Sequence, residues 1–117
     1  MPDAVLAKLR KLLLALPGTS EKKSWGHPNF HTSVRSYCAY HETRDGTPCI
    51  WLRLDPFAAE LLRDDPRLIR STHGSAQGWL GVRATGRIPW GFVGELARDA
   101  HALAVPPEKK TRRPRSA

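Results

Sequence analysis

Residues 30–54, FHTSVRSYCAYHETRDGTPCIWLRL, constrain the fold more than any other stretch of the chain. They are rich in aromatic and β-branched side chains, and Asp45-Gly46 interrupts them with the residue pair that suits a tight hairpin turn. The stretch predicts antiparallel strands: one opening at Phe30, one ending at Glu42 and one over residues 49–54. If Arg44-Asp45-Gly46-Thr47 joins the last two symmetrically, Cys49 stands opposite Glu42 and Cys38 opposite Arg53, too far apart for a disulfide. That register groups Ala39, His41, Ile50, Leu52 and Leu54 on one face, the expected core. Cys38, Tyr40, Glu42, Trp51 and Arg53 share the other, where Tyr40 pairs with Trp51 beside Arg53.

The flanks read as helices and shorter strands. Asp3 can cap a helix whose apolar positions Val5, Leu6, Leu9, Leu12, Leu13 and Leu16 recur three and four apart, and Pro17-Gly18 ends it. Its apolar run is too short for a secretory leader and lacks a small-x-small cleavage site, and no run approaches the ~18 residues of a membrane span. A cytoplasmic protein with no membrane partner is expected.

Asp55-Pro56 is a helix start, followed by an apolar stripe of Phe57, Ala58, Leu61 and Leu62 that stops before Pro66. Leu68-Ile69-Arg70-Ser71 and Trp79-Leu80-Gly81-Val82-Arg83 read as a fourth and a fifth strand. Ile88-Pro89 leads into a last helix with Trp90, Val93, Leu96, Ala97, Ala100, Leu103 and Ala104 on one side. The order is α-β(3)-α-β(2)-α, a two-layer α+β domain with an antiparallel sheet over residues 1–105. Residues 106–117 have almost nothing apolar to anchor them and read as a basic, disordered tail.

Charge narrows the partners. Nineteen Lys and Arg face eleven Asp and Glu, a net +8. The tail holds five of the cations, Lys109, Lys110, Arg112, Arg113 and Arg115, and one anion, so tail and body each carry +4. Both would be drawn to a polyanion such as DNA. Tyr40, Trp51 and Arg53 could stack bases and contact phosphate, or be covered by a dimer partner or a second layer of the fold.

His27, in the stretch SWGHPNF, either hydrogen-bonds its loop while Trp25 and Phe30 pack on the first helix, or contacts a ligand together with Trp25. His27, His31, His41, Cys38 and His73 do not have metal-ligand spacing, so neither metal nor cofactor is expected. No serine stands in a nucleophile elbow, Cys38 lies mid-strand, and the loop between Gly74 and Gly78 lacks the Lys-Ser/Thr ending of a phosphate loop.

LLLALPGTSEKKSWGHPNF, LRLDPFAAELLRDDP, GSAQGWLGV and IPWGFVGELARDAHALAVPPEKK together resemble the MmcQ/YjbR family over residues 6–110. Two positions depart from its pattern. Ser75-Ala76-Gln77 stands where a basic residue commonly precedes Gly-Trp, and His101 stands where an aromatic such as Tyr is common. The resemblance implies the same α-β(3)-α-β(2)-α fold, likened to CyaY and to type III secretion chaperones. It also implies a DNA-binding label, with no catalytic residues to carry over. The expectation is a non-enzymatic DNA-binding protein. The alternative is an interaction module, monomer or homodimer, that captures a protein or small ligand through its open sheet face.

Overall fold

A computed structural model describes residues 4–24, 26–70 and 77–105. Helix α1 (Ala4–Leu14) leads into four strands, β1 (Ser20–Ser24), β2 (His27–His31), β3 (Ser36–Glu42) and β4 (Pro48–Arg53). Helix α2 (Pro56–Leu61), strands β5 (Leu68–Arg70) and β6 (Trp79–Arg83), and helix α3 (Trp90–Leu103) follow. The six strands form one antiparallel sheet in the order β1-β2-β3-β4-β6-β5. The α+β class and the antiparallel sheet are as expected, with one strand more than expected before α2.

That strand is β1. Its sequence, SEKKS, has no apolar residue, because an edge strand with a solvated face needs none and edge lysines discourage pairing with another chain. It turns back onto β2 between the paired residues Ser24 and His27, with Gly26 at φ +82°. Gly26, His27 and Pro28 thus belong to a hairpin within the sheet. Trp25 lies outside the described residues.

The β3–β4 register is one residue off the symmetric expectation. Thr43 N donates to Thr47 O at 2.8 Å and Gly46 takes φ +89°, so the loop has three residues instead of four. Cys38 then faces Leu52, Ala39 faces Trp51, and His41 faces Cys49. A one-residue slip exchanges faces. Cys38 and Tyr40 therefore join Ile50, Leu52 and Leu54 on the core side, while Ala39 and His41 lie with Trp51. The expected Tyr40–Trp51 pair does not exist. Cys38 and Cys49 are free, buried, and on opposite faces.

The main core lies between the sheet and the helices. Leu9 and Leu13 of α1, Phe30, Tyr37, Ile50, Leu52 and Val82 of the sheet, and Val93, Ala97 and Ala100 of α3 are almost wholly shielded from solvent. Where β2 meets β3 the register shifts at Phe30/His31, a bulge that lets consecutive Tyr37 and Cys38 both enter this core. His101, at the position where a Tyr was the commoner expectation, donates from Nε2 to Pro17 O at 2.7 Å and meets the Tyr37 ring edge-on. It ties the end of α1 to α3.

Asp55 caps α2 as expected, accepting from Phe57 N and Ala58 N. The expected stripe does not hold, because Phe57 and Leu61 are each 71 % exposed and Ala59 turns inward instead. Among the described residues no helix is long and apolar enough to cross a membrane. The tail residues Lys109, Lys110, Arg112, Arg113 and Arg115, and His73, lie outside the described residues.

Candidate functional site

All three helices pack against the main core, and the opposite sheet face carries a second, smaller cluster to which no described helix contributes. Pairing across the strands builds it row by row. Asn29, Ala39, Trp51, Gly81 and Ile69 stand side by side on β2, β3, β4, β6 and β5, and His41, Cys49 and Arg83 form the next row. The Trp51 ring lies on Gly81, where an added Cβ would come within 2.8 Å of Cζ3, so only glycine lets the indole lie flat there.

The rings form a column. Trp51 Nε1 donates to His41 O at 3.3 Å, its ring stacks on His41 with centroids 5.4 Å apart, and His41 meets His27 at 4.5 Å. Trp79 and Ile69 pack against the cluster from β6 and β5. Trp51 is 8 % exposed, so it supports the face from below instead of offering a free stacking surface. The imidazoles and Trp79 are the half-buried rings that a ligand can reach.

Above them lies a broad, open concavity of about 1320 Å³, whose charged lining is Arg44, Arg70 and Arg83 against Glu42 and Asp45. Asp45 is engaged by its own turn, accepting from the Thr43 hydroxyl and, at 2.9 Å, from the Thr47 hydroxyl. Ser24, Asn29 and Ser36 line this concavity and also a smaller one of about 280 Å³ that adds Lys22, His31 and Arg35. Arg53, beyond Trp51 on β4, completes a set of six cations on or beside this face. The ion pairs of the described residues, Arg10–Glu21, Arg63–Glu60 and Arg67–Asp65, include none of the six.

Burial, then the neighbouring His41, holds the His27 imidazole below its ordinary value of 6.5, and Glu42 offsets part of this. Burial pushes the Cys49 thiol up to about 11 against the pull of Arg83, and raises Cys38 further. Both cysteines stay protonated at neutral pH and are poor nucleophiles. Among the described residues no three His, Cys, Asp or Glu side chains gather as a metal site.

The column carries a pH prediction. Because His27 binds its proton less well in the fold than in the unfolded chain, its contribution to stability is complete above 6.5 and is lost as the pH falls through 6.5 toward the folded value. An NMR titration should give His27 a midpoint below 6.5, and His41→Ala should raise it; an unchanged midpoint in the variant would remove His41 as a cause.

A family model described as YjbR matches residues 14–103. The chain belongs to the YjbR family. Among solved structures it is similar to the crystal structure of a protein from Pseudomonas syringae, a structural-genomics target. The TM-score is 0.70 at 16 % identity, covering 85 % of this chain and 97 % of that one, and at this identity the likeness speaks for the fold alone. No curated protein matches the chain.

Within the YjbR match, the structure joins His27 to Trp51 through the His41 ring, sets Arg53 beside them opposite Trp79, and takes Tyr40 away to the core side. It adds His41, Trp79, Arg35, Arg70 and Arg83. Arg83 and Trp79 were within reach of sequence reasoning, since pairing β6 beside β4 places them next to Cys49 and Arg53. Arg35 was not, because the sequence register assigned Ala39, and with it the alternate residues of that strand, to the core face.

Proposed function

We propose that this YjbR-family protein is a non-enzymatic DNA-binding protein, and that it seats a single strand on the helix-free face of its sheet. The observation that carries the reading is the surplus of cations around half-buried aromatic rings. Arg44, Arg70 and Arg83 line one concavity with His27, His41 and Trp79, Lys22 and Arg35 line the adjoining one, Arg53 pairs with Trp79 across the strands, and none of the six belongs to an ion pair of the described residues. Cations spaced along a strand take phosphates, and flat rings between them accept bases without regard to sequence. The basic tail adds further phosphate attraction.

Anisotropy titration of a fluorescent single-stranded oligonucleotide tests the reading. Three to five phosphate contacts on this face give a slope of log K against log salt of about −2 to −3.5. Arg70→Gln/Arg83→Gln should reduce the slope by about 1.4, and removing residues 106–117 should weaken binding without abolishing it. Absence of binding at low salt, or a slope indifferent to the two arginines, would refute the proposal.

A further inference from the structure

At and beside the smaller concavity lie buried polar atoms with no partner. Arg35 Nε, Arg53 Nε and His31 Nε2 are the only buried side-chain nitrogens or oxygens of the described residues without a hydrogen bond. All three belong to one end of the sheet. Arg35 and His31 line the pocket at the β2–β3 turn. Arg53 follows Leu52, the partner of Cys38, so it reaches the same end of β3 as Ser36 and Arg35. Buried polar groups are normally satisfied, and an unmade bond to a guanidinium is costly. Two guanidinium groups held near each other add mutual repulsion. The Arg35 guanidinium is accordingly pulled below its ordinary value, by burial first and by Arg53 second.

The surroundings hold this arrangement in place. Thr32 N donates to Arg35 O at 3.0 Å, closing the turn. The buried Thr32 hydroxyl donates to Ala104 O and accepts from Val34 N at 3.0 Å, which fastens the turn to the end of α3. Ser36 Oγ donates to Asn29 Oδ1 at 3.2 Å on the pocket wall. Lys22 joins Arg35 as the second cation of the lining.

We propose that the pocket lined by Arg35 and His31, with Arg53 close beside Arg35, is a receptor for a phosphate monoester group or free phosphate. The charge balance selects this class. Two neighbouring guanidinium groups with unpartnered Nε–H donors are best neutralised by a group of about −1.5 to −2, which a monoester carries near pH 7 and an internal diester does not. Guanidinium forks match the oxygens of such a group. His31 donates from Nδ1 to Thr32 O at 3.2 Å, which leaves Nε2 to meet the ligand, accepting the O–H of hydrogen phosphate or, with the ring protonated, donating to a fully ionised monoester. Bound in this way, the group satisfies all three orphaned atoms. The ligand is either inorganic phosphate itself or the terminal phosphate of a strand lying on the adjoining face. The proposal does not depend on DNA binding.

The test uses the full chain. Arginine Nε–H resonances should shift for Arg35 and Arg53, saturably, when inorganic phosphate is added, and a chloride titration at matched ionic strength should leave them in place. Arg53→Gln should abolish the Arg35 shift while keeping or raising the thermal midpoint, because it removes a like-charged neighbour; Arg53→Lys should recover part of the shift. In a second arm, a 5′-phosphorylated oligonucleotide should bind about tenfold more tightly than its 5′-hydroxyl twin, and Arg53→Gln should erase the difference. A response to phosphate with no preference between the oligonucleotides assigns the pocket to free phosphate. Unmoved Arg35 and Arg53 resonances would overturn the proposal, even if the unphosphorylated strand binds well and DNA binding stands.

Discussion

Gly78→Ala is expected to destabilise the fold by about 3 kcal/mol or more, the combined cost of backbone strain and overpacking. Gly78 precedes β6 at φ +98°, a conformation that a side chain resists, and an added Cβ would sit 1.8 Å from Leu54 O. The obstacle is backbone and cannot swing aside. Relieving it means parting the strand ends where Leu54 N donates to Gly78 O at 2.9 Å. Gly46 is the control: at φ +89° an added Cβ meets nothing within 4 Å, so Gly46→Ala carries only the conformational penalty of about 1 kcal/mol. Urea unfolding of the two variants separates the causes. Equal losses would show that the Leu54 contact does not matter.

Trp51→Ala is expected to cost about 3 to 5 kcal/mol, the range for deleting a buried aromatic side chain. The indole fills the second cluster between Ala39, Cys49, Ile69 and Trp79, lies on Gly81 and stacks on His41. Its removal leaves a hole that the rigid sheet closes only in part, and frees the His41 carbonyl from its Nε1 bond. Trp51→Phe should recover a good part of the loss, because it keeps a ring over Gly81 and forgoes the hydrogen bond. A loss below about 1 kcal/mol for Trp51→Ala would mean the ring is not packed as described.

The sequence predicted the elements better than the faces. Helix α3 and strand β6 were legible because Val93, Leu96, Ala97 and Ala100 keep a helical period, and because Trp79 to Arg83 form a compact strand after Gly78. Strand β4 declared its inner face through Ile50, Leu52 and Leu54. Strand β3 could not: Tyr37, Cys38, Ala39, Tyr40 and His41 suit either side, so its orientation depended on the turn, and the three-residue loop at Gly46 decided it. Strand β1 was hidden because a polar edge has no periodicity to read. The site followed the same logic. His27, Trp51 and Arg53 were found as residue types worth watching, whereas the His27–His41 contact and the meeting of Arg35 with Arg53 depend on register and a bulge. Phe57 and Leu61 misled in the opposite direction, since α2 makes a single full turn past Asp55 and buries Ala59.

The central claim is that the helix-free face takes the nucleic-acid strand, although cations also stand on the helical side, at Lys8 and Lys11 of α1 and Arg98 of α3. Amide chemical-shift mapping during addition of a single-stranded oligonucleotide distinguishes the two surfaces. The account predicts shifts at Lys22, Asn29, His41, Arg53, Arg70 and Arg83, with Lys8, Lys11 and Arg98 unmoved. Shifts gathered on α1 and α3 with the strands silent, or no shifts at low salt, would contradict it.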